Sequence, residues 1–512
     1  MKQFKEIMKK SWSSGAFIAG TCFMFLTILI VRALIWKACY FNTVDFEQIL
    51  YNLMAPMDGA NTEVFTGFAL QILPSAIIIC VLVASVVIVL SDYYINENKK
   101  SEKLKKCCRP FHFLKKHYLS WNVIVFLVVA LFGLTGIGAV NYVWNRFFDK
   151  SEFYEEEYVA PDSVTLTFPE EKRNLIYIFC ESMENSFMSL EYGGAQEENY
   201  IPELTKLMEE NTSFYNTETN NGAHVSYNSD WTVAAMTTHT SGIPLVLPMG
   251  VEDEESYTSF LPGVTNLGDI LKEEGYNQEL IIGSDVSFGG RDNLFNTHGE
   301  YEIFDYNTAI ERGYIPKDYY EFWGYEDKKL FEYAKTEILN QYAKGEPFNV
   351  TILTVDTHFM DGYQCEDCED TYEDPYLNTL NCSSKKIYEF VEWIKQQEFY
   401  ENTTIVIAGD HLNMGGTYVA SIDREYDRTV YYTIVNPAIV YTGNGEHLYS
   451  TLDFFPTTLA AMGVEIEGDR LGLGTNLFAT EKQTLSDKYG HEGLFEELEK
   501  HSEYYTNHFV EE

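Results

Sequence analysis

Three long stretches without charged residues constrain this chain most. Residues 11–31, 64–91 and 118–145 are runs of 21, 28 and 28 residues that contain no Asp, Glu, Lys or Arg. Each exceeds the roughly 20 residues that a helix needs to cross a bilayer. Buried helices of soluble proteins seldom stay uncharged that long, and a cleaved signal peptide would explain only the first run. The pattern therefore predicts a membrane domain, residues 1–146, with three transmembrane helices at about 11–36, 64–91 and 118–145.

Basic residues flank these runs unevenly and predict their orientation. The segment "MKQFKEIMKK" precedes the first run, and residues 96–117 contain eight Lys or Arg, whereas residues 38–63 contain none. Lys and Arg favour the cytoplasmic side of a membrane. We therefore expect the N-terminus and the 95–117 loop to be cytoplasmic, and everything after about residue 146 to be extracytoplasmic.

The outer part of the chain is strongly acidic. Residues 1–150 hold 16 Lys and Arg against 9 Asp and Glu, which leaves 20 against 68 for the rest of the chain. Such an excess of negative charge argues against nucleic acid as a partner and against broad electrostatic adhesion to anionic lipid.

Four cysteines fall in the outer part: Cys180, Cys365, Cys368 and Cys382. The last three lie close together in sequence, but a zinc knuckle would require a fourth ligand. One disulfide that closes a surface loop is the favoured interpretation, and the spacing leaves its pairing open.

The outer part alternates between strand-like and helix-like segments. Residues 147–172 are charged and weakly patterned, which is typical of a linker. Short apolar runs rich in β-branched and aromatic residues follow at 174–179, 278–283, 349–355, 403–409 and 438–443, with helix-like segments such as 379–398 between them. This alternation predicts an α/β domain over residues 173–480, with a largely parallel central sheet covered on both faces. An acidic tail with helical spacing, residues 481–512, completes the chain.

Polar side chains follow three of the predicted strands at the point where each strand ends. They are Glu181 after the first strand, Asp356, His358 and Asp361 after the third, and Asp410 and His411 after the fourth. Because ligands gather at the carboxyl ends of parallel strands, we expect these side chains to meet there. Carboxylate and imidazole groups together suit a divalent cation.

A hydroxyl-rich stretch, "HVSYNSDWT" at 224–232, comes early enough after the first strand to reach the same edge. A serine or threonine alkoxide beside a divalent cation would be a competent nucleophile toward a phosphate. The residue pattern alone leaves the choice among its hydroxyls, Ser226, Tyr227, Ser229 and Thr232, open.

Six motifs in order resemble those of the membrane phosphoglycerol transferases in the alkaline phosphatase and sulfatase superfamily. They are "NLIYIFCESME", "NSDWTVAAMTTHTSGIPL", "GGRDNLFNTHG", "TVDTHFMDGY", "TTIVIAGDHLNMGG" and "LDFFPTTLAAMGVEIEGDRLGLGTNLF", and they span roughly residues 172–480. The family includes lipoteichoic acid synthase and the enzymes that decorate periplasmic glucans.

The resemblance implies a role for individual residues. The family nucleophile, a threonine thirteen residues before the glycine of the "GIP" turn, falls on Ser229 here, so a serine replaces it. The implied metal ligands are Glu181, Asp410 and His411 beside Ser229, and the implied substrate-phosphate contacts are Arg291 and His358, the latter also a general acid or base. Thr232, Asp230 and Asp356 are further candidates. The cation expected for the family is Mn²⁺, and Mg²⁺ or Zn²⁺ would fit the same ligands.

The implied activity is a transfer of glycerophosphate at the bacterial cell membrane. Phosphatidylglycerol would donate a glycerophosphoryl group through a phospho-serine intermediate, with release of diacylglycerol, to a hydroxyl of a glycerophosphate chain, a glycolipid or a glycan. Two alternatives stay open: a phosphoethanolamine transferase of the same superfamily, and an inactive relative that binds envelope components. A sulfatase is disfavoured, because "SDWTV" lacks the proline and arginine that accompany a formylglycine precursor.

Overall fold

The computed structural model describes residues 2–40, 44–54, 62–95, 101–217, 220–246, 260–358, 362–441 and 447–510. They form two compact units. The first comprises Met1–Asn42 and Asn61–Asn141, and the second comprises Thr43–Ala60 and Tyr142–Glu512.

The helices, numbered along the chain, have the following bounds: α1 Lys2–Trp12, α2 Gly15–Tyr40, α3 Phe46–Met54, α4 Thr62–Ile95, α5 Glu102–Lys116, α6 Tyr118–Gly136, α7 Ala139–Phe148, α8 Phe153–Glu157, α9 Pro202–Glu210, α10 Thr232–Ser241, α11 Leu267–Glu273, α12 Arg291–Thr297, α13 Tyr306–Glu311, α14 Asp327–Ala343, α15 Pro375–Ile394, α16 Gly416–Ser421, α17 Phe454–Ala461, α18 Leu485–Tyr489, α19 His491–Glu499 and α20 Glu503–Tyr505.

The strands are β1 Leu166–Thr167, β2 Asn174–Cys180, β3 Tyr215–Thr217, β4 Asn220–Asn221, β5 Asn277–Ile282, β6 Glu302–Phe304, β7 Phe348–Leu353, β8 Thr403–Gly409, β9 Tyr432–Val435, β10 Glu465–Ile466, β11 Arg470–Leu471 and β12 Gly474–Thr475.

Three helices of the first unit confirm the predicted apolar spans. Gly15–Cys39, Thr66–Ile95 and Tyr118–Gly136 are long and apolar enough to cross a membrane, by length and composition. Inside this unit the Phe17 ring stacks on Tyr118 with centroids 4.4 Å apart, and many outward-facing apolar side chains on α4 and α6 are exposed. The third uncharged run divides into two helices, α6 and α7, so the apolar helix is shorter than the run itself.

The second unit is built on a six-stranded sheet in the order β6-β5-β7-β2-β8-β9. All neighbours pair in parallel except β8 and β9, which are antiparallel. Every residue of the central strand β2 is buried. Leu175, Tyr177 and Phe179 face one apolar core. Ile176, Ile178 and Cys180 face the other. The predicted α/β fold with a mostly parallel sheet covered on both faces is thereby confirmed.

One predicted strand was wrong. Residues 438–443 do not form a strand within the part that the structure describes, and the last strand of the sheet is instead β9, which runs antiparallel to β8. β9 is fully buried, whereas Val440 is 80% exposed. An apolar run with β-branched residues packs into a sheet only where a buried position exists for it, and that information is not local to the run.

The predicted linker and C-terminal tail pack against each other in the outer unit. The Phe153 ring lies 5.4 Å from Tyr489, and the Tyr154 ring lies 5.4 Å from Tyr505. Leu494 on α19 is buried in the same apolar core as these aromatic rings. Burial of these side chains gives both segments a part in the core of the domain.

The cysteine pairing left open by the sequence is Cys368 with Cys382. The Cys365 thiol is buried and its sulfur lies 3.5 Å from that of Cys368. The disulfide joins the loop after β7 to the helix α15.

A buried acid on β5 makes the stability of the outer unit depend on pH. Glu279 is 1% exposed and accepts a hydrogen bond of 2.7 Å from Gln341, and burial raises its pKa to about 7. The folded state therefore holds this proton more tightly than the unfolded chain does. The stability that this adds is complete below the ordinary glutamate pKa and is lost as the pH rises to about 7.

We predict that Glu279→Gln removes this dependence in the full-length protein. Relative to the wild type, the variant should gain about 3 kcal/mol of unfolding free energy on going from pH 4.5 to pH 8, as the size of the pKa shift implies. Thermal unfolding midpoints across that range measure the effect. Glu302→Gln, at an exposed neighbour, is the matched control. Parallel curves for the wild type and Glu279→Gln would contradict the prediction.

Candidate active site

Two neighbouring strands bring the predicted metal ligands together. β2 and β8 pair in parallel with Cys180 opposite Gly409, so the residues that follow, Glu181 on one side and Asp410 and His411 on the other, leave the sheet side by side. Their ligand atoms lie within 4.8 Å of one another, and all three residues are buried. The register of β2 and β8 thus brings together the polar side chains that the sequence predicted to meet at the strand ends.

The backbone around the cluster is fixed in position. A Cβ on Gly409 would lie 1.8 Å from the Met183 carbonyl oxygen, so only glycine fits there. Ser182 adopts a left-handed φ of 52°, a conformation that non-glycine residues rarely take. In this position its amide donates to Asp410 Oδ1 at 2.8 Å, and its hydroxyl donates to Glu181 Oε1 at 2.7 Å.

Burial and mutual interaction shift the pKa of each member. Burial and the neighbouring Glu181 raise the pKa of Asp410. Burial alone would lower the pKa of His411, but interaction with Asp410 and Glu181 outweighs it and raises that pKa. Burial acts to raise the pKa of Glu181, and His358 and His411 more than offset it, so its pKa is lowered. Negative charge is thus concentrated in a buried place, which favours a cation there.

The donor atoms of the cluster fit a divalent metal ion. Asp410 Oδ2 is buried and accepts no hydrogen bond from the described residues, while its Oδ1 is held by the backbone. A neutral His411 that donates from Nδ1 to the Leu412 carbonyl at 2.9 Å leaves a lone pair on Nε2, as metal-binding histidines require. Nε2 lies 3.5 Å from carboxylate oxygens of both Glu181 and Asp410.

Of the four hydroxyls in the stretch 224–232, Thr232 is the one with a described hydrogen bond to this cluster. It is the first residue of α10, and its Oγ1 donates to Glu181 Oε2 at 3.3 Å. Thr232 is partly exposed. A helix N-terminus carries unpaired amides and a partial positive charge, which favour a developing alkoxide or a bound phosphate.

Ser229, the nucleophile implied by the family spacing, is held elsewhere. It is fully buried. Its Oγ lies 2.7 Å from Ser226 Oγ and 2.6 Å from Thr238 Oγ1, and it also donates to the Tyr227 carbonyl. These bonds tie the loop to the helix that follows. None of the described hydrogen bonds of Ser229 reaches Glu181, Asp410 or His411.

Arg291 brings positive charge close to the cluster. It begins α12, is 6% exposed, and donates from Nη2 to the Asp285 carbonyl at 2.7 Å. Burial lowers its pKa to about 10, and interaction with Glu181 opposes that shift, so the guanidinium stays charged. Its buried Nε has no acceptor among the described residues, which is the state expected of a donor that awaits an anion.

The other predicted residues divide into two groups. His358 interacts electrostatically with Glu181, and Asp230 interacts with His411, so both lie near the cluster. Asp356 is instead part of a buried structural network, in which its carboxylate pairs with Lys386 at 2.8 Å and accepts from the Asp327 amide. That network fixes the start of the loop that carries His358. Asp361 lies outside the described residues.

An aromatic neighbour of His358 was missed by sequence reasoning. The Trp323 ring lies 4.7 Å from that of His358 and 5.3 Å from that of Phe288. Trp323 comes from the segment before α14, which contains no motif, and nothing in its local sequence indicates a place beside the strand-end loop. It limits the orientations that the imidazole can take.

The outer unit thus combines a mostly parallel α/β sheet with buried acidic and imidazole side chains at its strand ends. Residues 173–464, more than half of the chain, match the Sulfatase family. The chain belongs to the Sulfatase family, which confirms the resemblance drawn from its motifs at the level of the family.

Among curated proteins, the chain is similar to phosphoglycerol transferase I of Xanthomonas campestris, with 28% identity over 373 residues that cover 71% of this chain and 48% of the relative. The chain thus spans about half the length of the relative. A lipoteichoic acid synthase, LtaP from Listeria monocytogenes, shares 18% identity over 62% of this chain and 79% of its own, with a TM-score of 0.47. Lipooligosaccharide phosphoethanolamine transferase A from Neisseria meningitidis shares 16% over 87% and 84%, with a TM-score of 0.49.

We predict that Asp410→Asn weakens Mn²⁺ binding by the full-length protein about 100-fold, because an amide removes charge from the ligand set. Wild-type affinity should rise with pH, because metal binding must displace the protons that the raised pKa values of Asp410 and His411 retain. Titration calorimetry at several pH values measures both effects. Asp427→Asn changes a half-exposed carboxylate that pairs with His224 and should bind as the wild type does. Equal affinity for Asp410→Asn and the wild type would refute the ligand assignment.

Proposed function

We propose that this protein is a membrane-anchored phosphoglycerol transferase that moves a glycerophosphoryl group from phosphatidylglycerol to a hydroxyl of an envelope polymer or glycolipid. The observation that carries the proposal is the meeting of Thr232 with the cluster Glu181, Asp410 and His411 at the end of two parallel strands. The family of the chain and the names of its curated relatives support the choice of reaction.

We assign the nucleophile to Thr232 in place of Ser229. Thr232 donates directly to Glu181 and stands at a helix N-terminus, whereas Ser229 Oγ is occupied by Ser226 and Thr238. The covalent intermediate is therefore a phospho-threonine rather than the phospho-serine implied by the motif spacing. A hydroxyl that must attack phosphorus has to lie at the site where the phosphate is bound.

The proposed reaction has two displacement steps at phosphorus, and residues of the chain act in both. In the first, Thr232, which has already released its proton to solvent, attacks as the alkoxide: its Oγ forms a bond to phosphorus, the bond from phosphorus to the diacylglycerol oxygen breaks, and that oxygen takes up a proton. We propose that His358, as an imidazolium, delivers this proton. In the second, His358 takes the proton of the acceptor hydroxyl as its oxygen attacks phosphorus, and the bond to Thr232 breaks. A covalent intermediate divides one difficult displacement into two easier ones.

Positive charge at the site comes from a small number of groups. The buried Nε of Arg291 has no acceptor in the described part of the chain, so it can donate to a phosphate oxygen and fix its orientation. Glu181, Asp410, His411 and Thr232 would hold a divalent cation, for which Mn²⁺ is our proposal. When bound, the cation lowers the pKa of the nucleophile and neutralises charge on the phosphate. In this way an acidic domain can bind an anionic lipid head group.

The distribution of Lys and Arg supports an extracytoplasmic position for the catalytic domain. We propose residues 1–146, apart from the segments that belong to the outer unit, as the membrane domain and 173–480 as the catalytic domain. The segments 147–172 and 481–512 join the catalytic domain through the aromatic contacts described above.

The donor is tested with the full-length protein in vesicles that contain Mn²⁺ and a fluorescent phosphatidylglycerol. We expect release of fluorescent diacylglycerol, and no release from a matched fluorescent phosphatidylethanolamine. The hydroxyls of a glycerol head group both donate and accept hydrogen bonds, whereas an ammonium only donates, so a site that binds one discriminates against the other. Turnover of phosphatidylethanolamine alone would replace the proposal with a phosphoethanolamine transferase. Turnover of neither lipid would favour a binding role.

The nucleophile is tested by two conservative changes. Thr232→Ala should lower the rate of diacylglycerol release at least about 1000-fold, because it removes the attacking atom. Ser229→Ala should retain the rate to within about 10-fold and mainly lower the unfolding midpoint, because it removes structural hydrogen bonds. The reverse order of the two effects would return the assignment to Ser229.

A further inference from the structure

The short helix α3 is the least expected part of the outer unit. In the chain it lies between α2 and α4, the first two apolar helices, yet it belongs with the catalytic domain. Glu47, Gln48 and Tyr51 are each at most 4% exposed, whereas Leu53 is 76% exposed. One face of α3 is therefore buried by the outer unit.

That buried face contacts both loops that carry the proposed catalytic groups. The Tyr51 hydroxyl donates to the Gly289 carbonyl at 2.5 Å, two residues before Arg291. The Tyr51 ring lies 5.6 Å from that of Trp231, which precedes Thr232. Glu47 accepts a hydrogen bond from the Tyr227 hydroxyl in the same loop. A single helix thus bridges the segment before Thr232 and the segment before Arg291.

The backbone that Tyr51 contacts contains two consecutive glycines, Gly289 and Gly290. Gly289 and Gly290 both have left-handed φ values, 71° and 76°, and two consecutive glycines have far more accessible conformations than other residues. A Cβ on Gly290 would lie 3.4 Å from the Tyr51 hydroxyl. The hydrogen bond to Gly289 therefore restrains the turn from which Arg291 enters α12.

We propose that α3 is a positioning element of the active site, in which Tyr51 acts through the Gly289 carbonyl to set the position of Arg291, and Glu47 acts through Tyr227 on the loop before Thr232. This inference deepens the proposed function, and its kinetic readout rests on that function. In the chain, α3 lies between two apolar helices and outside the region that matches the Sulfatase family. The geometry of phosphate binding therefore depends on a segment that the family match does not include. It also requires residues 44–54 and the catalytic domain to lie on the same side of the membrane, as their separation by two apolar helices allows.

The first test is kinetic and uses Tyr51→Phe in the full-length protein with phosphatidylglycerol vesicles. Loss of the hydroxyl should raise KM about 10-fold and leave kcat within about 2-fold, because the arginine that binds the phosphate is less well placed. A merely structural role would lower the fraction of active protein, which lowers kcat and leaves KM unchanged. Asn52→Ala, an exposed residue on the same helix, is the matched control and should leave both constants unchanged.

The second test asks whether Tyr51 acts through Arg291. In an Arg291→Ala background, Tyr51→Phe should have no further effect on KM, since the group that it positions is gone. Equal effects of Tyr51→Phe in the two backgrounds would overturn the inference.

The third test does not depend on lipid turnover. Amide hydrogen exchange of residues 286–291 should be at least about 10-fold faster in Tyr51→Phe than in the wild type, and inorganic phosphate in the presence of Mn²⁺ should bind more weakly. If both changes occur while the wild type releases no diacylglycerol, the positioning role stands and the proposed function fails. If the wild type turns over the lipid and neither exchange nor phosphate binding changes, α3 has no positioning role.

Discussion

Two carboxylates buried at the ends of adjacent strands are the arrangement on which the rest of this structure depends. Glu181 and Asp410 are each at most 3% exposed, and His411 lies 3.5 Å from both. Burying like charges together is unfavourable unless a cation or a proton compensates. The fold places no Lys or Arg side chain within ion-pairing distance of either carboxylate among the described residues, so the compensation is left to His411, to protons and to a divalent ion.

The surrounding structure keeps that arrangement rigid. The parallel pairing of β2 and β8 sets the strand ends level, Gly409 allows the close approach to Met183, and Ser182 holds both carboxylates. The linker, the C-terminal tail and α3 contribute buried side chains to the same apolar core as one face of the sheet. The outer unit therefore includes segments well outside the region that matches the Sulfatase family, and one of them lies between two apolar helices in the chain.

The strands that carry the ligands could be predicted because β2, β7 and β8 are buried on both faces, and such strands are continuous apolar runs whose ends are visible in the sequence. Two features could not be predicted for physical reasons. Residues 438–441 have the composition of a strand but no buried position in the sheet. The spacing to Gly242 cannot show which hydroxyl faces Glu181, because Ser229 and Thr232 lie only three residues apart, where the loop enters α10. Similarly, nothing in the sequence of α3 indicates its contacts, since these join residues more than 170 positions apart.

The central claim is that the Thr232 hydroxyl, which contacts Glu181, attacks the lipid phosphate, and mass spectrometry of the trapped intermediate tests it most directly. The full-length protein would be mixed with phosphatidylglycerol and Mn²⁺, quenched in acid before an acceptor is added, and digested. We expect a glycerophosphoryl group on Thr232 in the peptide that contains both candidate hydroxyls, with fragmentation locating it. The same group on Ser229, or an unmodified peptide under conditions in which diacylglycerol is released, would contradict the claim.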